Sequence, residues 1–134
     1  MSQGEIRVAI NSDQDIVAAR QKGRALATEL GFTSGDATLI ATAISELARN
    51  IVSYARKGLI TLQIVNGDDR QGLSIVASDD GPGIPDVRQA LRDGFSTSGS
   101  LGLGLPGVRR LMDEFQITSV PGRGTTVAVK KWRQ

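Results

Sequence analysis

The amino-acid sequence predicts an α+β fold, a two-layer sandwich in which a mixed, mostly antiparallel sheet carries its helices on one face. Three observations lead there. Strand-like alternation comes in neighbouring pairs joined by turn residues, at 60–64 with 73–77 and at 116–120 with 125–132. Helical periodicity occupies separate runs instead of alternating one for one with strands. The length, 134 residues, suits one well-buried core and is short for two, so a single unit spanning 1–134 is expected.

In chain order, Ile6, Val8 and Ile10 alternate with Arg7 and Ala9, the period of a half-buried strand. Ser12-Asp13-Gln14-Asp15 has the form of a capping box. The helix it opens keeps Ile16, Ala19, Gly23, Leu26, Ala27 and Leu30 on one face and closes at Gly31. A longer helix is expected from Ser34 or Asp36, with Ile40, Ala43, Ile44, Leu47, Ala48 and Ile51 as its apolar stripe. Gly58 ends it, after Arg56 and Lys57 in a last turn where cations suit the helix dipole. Ile60, Leu62 and Ile64 then alternate with Thr61 and Gln63, and Asn66-Gly67-Asp68-Asp69 returns the chain to Leu73, Ile75 and Ala77 as a hairpin. Further on, Pro106 suits the first turn of a helix carrying Val108, Leu111, Met112 and Phe115 at i, i+3, i+4 and i+7. A short strand at Gln116–Val120, a turn at Pro121-Gly122-Arg123-Gly124 and a strand at Thr125–Trp132 complete the order, with Trp132 read as core or edge packing.

Composition removes several kinds of function. Sixteen Lys and Arg against fourteen Asp and Glu leave +2, and apart from Lys130, Lys131 and Arg133 the basic residues are scattered. Nucleic-acid binding needs a clustered basic footprint, and one Trp, one Tyr and three Phe are too few for base-stacking platforms. The chain has no cysteine, which excludes disulfides and thiolate catalysis, and no histidine, which excludes imidazole bases, histidine metal ligands and a phosphohistidine on this chain. Met1-Ser2-Gln3-Gly4-Glu5 carries no targeting pattern and no apolar run is long enough to span a bilayer, so a cytoplasmic location without a membrane partner is expected.

The stretch from Ser78 to Leu105 concentrates the residues that suggest chemistry. Glycine lets backbone take positive φ and approach a ligand closely, so Gly81 and Gly83, followed by Gly99, Gly102 and Gly104, suggest a nucleotide pocket. Backbone N–H groups at the start of the helix that follows would face a phosphate. Asp79 ends an apolar strand. An acceptor-only carboxylate there suits an exocyclic amino group such as that of adenine, and it equally suits nucleation of the turn that follows. Glu46 and Asn50, four apart, project from one side of the long helix. A carboxamide oxygen is a hard ligand for Mg²⁺, and a carboxylate can take a proton from an incoming hydroxyl. Read alone, the pair also fits a solvated helix face on which Glu46 meets Arg49 or Asn50. Ser96-Thr97-Ser98 suits either phosphate contacts or a small polar loop, and Gly102-Leu103-Gly104 either a phosphate-side loop or a helix start.

Together and in this order, Glu46-Leu47-Ala48-Arg49-Asn50, Asp79-Asp80-Gly81-Pro82-Gly83, Gly102-Leu103-Gly104 and Gly122-Arg123-Gly124-Thr125 resemble the N, G1, G2 and G3 boxes of the GHKL ATPase/kinase superfamily, over about residues 34–128. The resemblance implies the Bergerat fold, a sheet layered on helices with ATP between them, and ATP and Mg²⁺ as ligands. It implies Asn50 as Mg²⁺ ligand and nucleotide contact, Glu46 as catalytic base and Asp79 as the adenine-reading carboxylate. Gly81 and Gly83 become the turn that admits the base, Ser98, Gly102, Leu103 and Gly104 the phosphate side, and Thr125 the support for Asp79 and adenine from the neighbouring strand. Residues 86–101 would form a short lid.

A fuller similarity covers nearly the whole chain. Ile44-Ser45-Glu46-Leu47-Ala48-Arg49-Asn50-Ile51, the run 93–99, and Gly104-Leu105-Pro106-Gly107-Val108 with 110–115 resemble the RsbT-type switch kinases of bacterial stress signalling. That resemblance implies a protein serine/threonine kinase acting on STAS-domain proteins of the stressosome and, once released, activating a PP2C-type phosphatase by binding it. Related anti-sigma kinases share the boxes and bind a sigma factor. A regulatory module that docks on such partners with ATP as a conformational ligand is the remaining alternative.

Overall fold

Apolar and polar side chains alternate along each strand, so burying the apolar ones turns one face of every strand toward a common interior. In the computed structural model, which describes residues 5–84, 87–91 and 104–133, β1 (Ile6–Ile10), β2 (Gly58–Asn66), β3 (Gln71–Asp79), β4 (Glu114–Val120) and β5 (Gly124–Trp132) join in one sheet of order β1-β2-β3-β5-β4. The α+β class and the layer of helices on one face agree with expectation. Every pairing is antiparallel, so the sheet expected to be mostly antiparallel is entirely so among the described residues.

The register makes straight rows across the helix-covered face. Leu62, Ile75, Val129 and Phe115 form one row, and Ile60, Ala77, Val127 and Ile117 the next. All eight belong to, or pack against, the hydrophobic core. The helices α1 (Asp13–Glu29), α2 (Ser34–Asn50) and α4 (Gly104–Leu111) supply most of the rest of that core, and a short α3 (Val87–Ala90) precedes α4 in the chain. Within it α2 is central, packed against both α1 and α4, with Ile40, Ile44 and Leu47 almost wholly buried. A Cβ on Gly23 of α1 would fall 2.0 Å from Ile44 Cδ1, so the two helices meet at van der Waals contact only because this residue is glycine. Removing a side chain such as Ile44 from this contact would cost about 2–5 kcal/mol. Among the described residues no helix is long and apolar enough to cross a membrane.

The helix ends depart from the sequence reading in instructive ways. Ser12 makes no side-chain cap to α1; instead Asp15 Oδ2 accepts the amide of Asn11, the residue before the cap, at 2.8 Å, so the expected capping box does not form. At the other end Phe32 N donates to Ala27 O and Gly31 N to Thr28 O, with Gly31 at φ 90°, a Schellman closure as expected of Gly31. The cap of α2 is Thr33, whose hydroxyl accepts the Asp36 amide at 3.1 Å. The α-helix stops at Asn50 and not near Gly58. Residues Ile51–Ala55 widen into one π-helical turn, and Arg56 follows at φ 71°, ψ −37°. Arg56 therefore terminates the helix and does not sit in its last turn.

Downstream, α4 ends at Leu111, where Lys131 Nζ donates to the Leu111 carbonyl at 2.9 Å. Asp113 N donates to Lys130 O at 3.0 Å, already in the ladder direction, so Phe115 lies in β4 instead of completing a helical stripe. The indole of Trp132 lies flat on Gly67 and Gly72, under the Arg70 guanidinium 4.8 Å from the ring centroid, and its Nε1 donates to Glu114 at 2.7 Å. It packs at the edge of the sheet, one of the two roles expected for it.

Arg56 holds a backbone conformation that a side chain with a Cβ disfavours. Arg56→Gly is expected to stabilise the fold by about 1 kcal/mol, relief of strain outweighing the added freedom of the unfolded chain. Urea unfolding of the two proteins side by side checks this; a variant less stable than the parent would show that Arg56 is unstrained.

Candidate functional site

Continuing the sheet rows by one more pair of residues brings a change of chemistry. After Ile60–Ala77–Val127–Ile117 comes Gly58–Asp79–Thr125–Ser119, on the same face and at the end of the strands. Asp79, expected to read adenine, and Thr125, expected to support it, are thus cross-strand neighbours. The Asp79 Oδ1 accepts the Gly81 amide at 2.9 Å, so the carboxylate does nucleate the turn. A carboxylate has about four lone-pair positions, and this bond leaves Oδ2 for a donor from elsewhere.

Close packing fixes the turn on both sides. A Cβ on Gly81 would lie 2.6 Å from Ala55 Cβ, so the turn rests directly on the π-helical segment that follows Asn50. Gly83, at φ 79°, lies against the Val120 carbonyl, and Pro82 O accepts the Gly122 amide at 2.8 Å. The β4–β5 turn has Pro121 and Gly122 at its centre, Gly122 at φ 79° and Arg123 N bonded to Val120 O at 2.9 Å, the pattern of a type II turn.

Glu46 answers the question left open by its spacing to Asn50. It is 5% exposed, so it does not lie on a solvated face. Its Oε2 accepts from Arg49 Nη1, three residues on, and its Oε1 accepts the Gly104 amide at 3.1 Å. Gly104 is the first residue of α4, and its N–H is one of the donors a helix start leaves unmatched. A carboxylate at that end also meets the positive pole of the helix dipole. The Glu46 side chain therefore ties α2 to the beginning of α4 across 58 positions of sequence. Asn50, one turn further along α2, is half-buried at the junction with the π turn. Ser98, Gly102 and Leu103 lie outside the described residues, as does most of the expected lid at 86–101.

A hollow of about 370 Å³ wraps the strand ends beside Asp79, lined by Asn11, Lys57, Gly58, Ser78, Asp79 and Asp80 among others. Ser78 faces away from the helices by strand alternation, so this hollow opens on the far side of the row from Glu46. Among the described residues no group of three or more Asp or Glu is arranged to hold a metal ion.

Two participants escaped the sequence reading. Ser119 accepts the Ile84 amide at 2.7 Å and lies 3.0 Å from the Thr125 hydroxyl. Its position opposite Thr125 follows from the hairpin register around Pro121-Gly122, which is the signal that would have found it. Arg49 appeared only as a surface partner for Glu46; its role at a buried carboxylate depended on the burial of α2.

The α+β architecture, a five-stranded antiparallel sheet with helices on one face, matches the GHKL-type ATPase fold. The model of the family described as histidine kinase-, DNA gyrase B- and HSP90-like ATPase matches residues 35–134. Serine/threonine-protein kinase RsbT of Bacillus subtilis is 58% identical over 125 residues, 93% of this chain and 94% of that protein. The chain belongs to this ATPase family, and within it to the RsbT-type serine/threonine-protein kinases. An anti-sigma F factor of Caldanaerobacter subterraneus subsp. tengcongensis is 30% identical over 129 residues, covering 92% of this chain and 89% of that one. Among solved structures, the RsbU and RsbW domains of a Mycobacterium tuberculosis protein superpose with a TM-score of 0.65 at 18% identity, covering 98% of this chain and 33% of that longer one. The mycobacterial sensor histidine kinase MprB gives 0.58 at 17% identity over 98% of this chain and 99% of that one. These two likenesses bear on the fold alone.

Gly124, at φ 126°, sits where a Cβ would fall 2.0 Å from the Asp79 carbonyl. Gly124→Ala therefore combines a forbidden φ with a backbone clash, and is expected to cost about 3 kcal/mol or more and to displace the polar row. Denaturant titration reads the stability and nucleotide titration the displacement; a variant unchanged in both would mean the β5 start can shift without consequence.

Proposed function

We propose that this chain is a Mg²⁺·ATP-dependent protein kinase that phosphorylates serine or threonine on a STAS-domain protein of the stressosome and, once released, activates a PP2C-type phosphatase by binding it. The observation that carries the catalytic half is the placement of Glu46, buried, held at both oxygens, one turn from Asn50 and in contact with the first amide of α4. The partner half rests on the likeness to a relative named as a serine/threonine-protein kinase and on the similarity to stress-signalling switch kinases. Fold alone would not carry it, because one fold hosts many functions.

In this reading Asp79 accepts from the adenine amino group, Thr125 flanks it, and the Gly81–Gly83 turn, seated on Ala55, lets the base approach the sheet end. The donor set suits the metal: Asn50 offers a neutral amide oxygen, and the nucleotide supplies the anionic ligands that the described residues do not cluster. Bound Mg²⁺ would supply charge neutralisation at the phosphates. Phosphoryl transfer needs positioning and charge balance more than covalent chemistry, and these groups provide both. Glu46 takes the proton of the incoming serine or threonine hydroxyl as its oxygen forms the bond to phosphorus and the bond to the leaving ADP oxygen breaks. Oε2 is the better placed atom, because its partner Arg49 is 38% exposed while Oε1 is tied to backbone.

A second reading has its own support in the anti-sigma F factor relatives: a kinase whose partner is a sigma factor. Direct association with a sigma subunit would favour it. A regulatory module working by docking alone would form its complexes equally well without nucleotide.

Phosphate transfer from labelled ATP to a STAS-domain protein of the same genome tests the leading reading. Glu46→Gln keeps an acceptor for the Gly104 amide and removes the base, so transfer should fall by about 10²- to 10⁴-fold with nucleotide affinity little changed. Transfer at the parental rate would remove Glu46 from the chemistry. Asn50→Ala should abolish the dependence of ADP affinity on Mg²⁺, and a Mg²⁺ effect that persists in this variant would move the metal elsewhere. Co-elution of the two proteins without any transfer would leave a binding switch in place of a kinase.

A further inference from the structure

We propose that Ser119 determines base specificity: its hydroxyl fixes the direction in which Thr125 presents its own proton, and thereby which purine edge the row Asp79–Thr125–Ser119 accepts. The inference rests on the reading above that Asp79 and Thr125 face the base.

The hydrogen-bond inventory of Ser119 carries it. A serine hydroxyl has one proton and two lone pairs. One lone pair of Ser119 takes the Ile84 amide at 2.7 Å. The proton has two acceptors in reach, the Thr125 hydroxyl at 3.0 Å and the Gly124 carbonyl at 3.4 Å. Hydroxyl donors favour separations near about 2.7–2.8 Å, so the nearer Thr125 oxygen takes it. Thr125 then accepts on the Ser119 side, and its own proton is turned away from Ser119 and toward the base.

The row consequently presents an acceptor-only carboxylate beside a hydroxyl donor. Adenine carries the complement, an amino donor at N6 next to an acceptor at N1, whereas guanine has its O6 acceptor where adenine has the amino group. Were Ser119 to donate to Gly124 instead, Thr125 would turn its proton back to Ser119 and the row would show the base two acceptors. Ser119 acts through Thr125 and does not itself touch the base, so it is a positioning residue.

Calorimetric titration of the full chain with ADP and with GDP tests this. Ser119→Ala should lower the preference for ADP over GDP about fivefold, the worth of one neutral hydrogen bond, and Ser119→Thr should restore it. In a Thr125→Val background Ser119→Ala should leave the ratio unmoved, since no Thr125 proton remains to direct. If Ser119→Ala weakens ADP and GDP by the same factor, the residue only holds the turn through Ile84 and the proposal is overturned. Additive effects of the Ser119 and Thr125 changes on the ratio would overturn it equally. Ser119→Cys, which fills the site with a poor hydrogen-bonding group, reads the same ratio should Ser119→Ala fail to fold. Asp79→Asn separates the two layers of inference. Unaltered ADP affinity in that variant sinks the adenine reading itself, whereas weakened affinity together with an unmoved Ser119→Ala ratio sinks only the role of Ser119.

Discussion

The position of the polar row depends on the register of an apolar one. Burial of Ala77, Val127 and Ile117 against the helices fixes how β3, β5 and β4 align, because a slip by one residue would turn every buried side chain to the open face. Once these three are aligned, Asp79, Thr125 and Ser119 two positions further along must also be aligned and must face the same way. Hydrophobic packing thus sets the spacing of three polar groups that a loop would have to hold by local hydrogen bonds alone. Gly58 closes the row on the β2 side, where a Cβ would meet the Ser78 carbonyl at 2.5 Å and Ile51 at 2.8 Å. Across the next pairing the row continues into buried, apolar Ile10 of β1, which is where its polar character stops.

The second wall of the site is organised by α2, a helix buried along most of its length. Burying a carboxylate on such a helix is costly unless its oxygens find partners. Glu46 finds one within its own helix, Arg49, and one on α4, the Gly104 amide. The i to i+3 partner keeps the ion pair independent of anything that happens at α4, while the Gly104 bond makes the entry of α4 depend on α2. Lys131 holds the opposite end of α4 from β5, at the Leu111 carbonyl, so the short helix is fixed at both ends by side chains from other elements. Its eight residues would be marginal alone.

Much of this was legible in the sequence, and the misses share a cause. The strands, the hairpins, both long helices and the fold class follow from periodicity and turn residues, and the set of glycine and acidic boxes singled out Glu46, Asn50, Asp79 and Thr125 for the roles proposed above. Three features were not local properties. Phe115 satisfies a helical i+7 position from Val108 and also the alternation Phe115, Ile117, Ser119 of a strand, and only the bonds from β5 to Asp113 and Leu111 decide between them. The π turn continues an apolar pattern through Ile51 that looks helical, yet the contact of Ala55 with Gly81 comes from a turn far along the chain. Ser119 is a small polar residue in an exposed strand by sequence, and it acquires meaning only opposite Thr125.

Placing the proposed base on a packed helix and the proposed base-reading groups on a packed sheet has a consequence for how the site can work. Preorganised groups act on a developing charge without having to move, and they do so best when other residues already hold their rotamers. Glu46 meets that condition through Arg49 and the Gly104 amide, and Asp79 through the Gly81 amide on its Oδ1. In the proposed reading the adenine end and the hydroxyl-activating end would both stand on packed elements, β3 and α2, joined through the turn at Gly81 that rests on Ala55. On that reading, binding energy from the base would go to holding the phosphates near Glu46, because the two ends would not have to be brought together first.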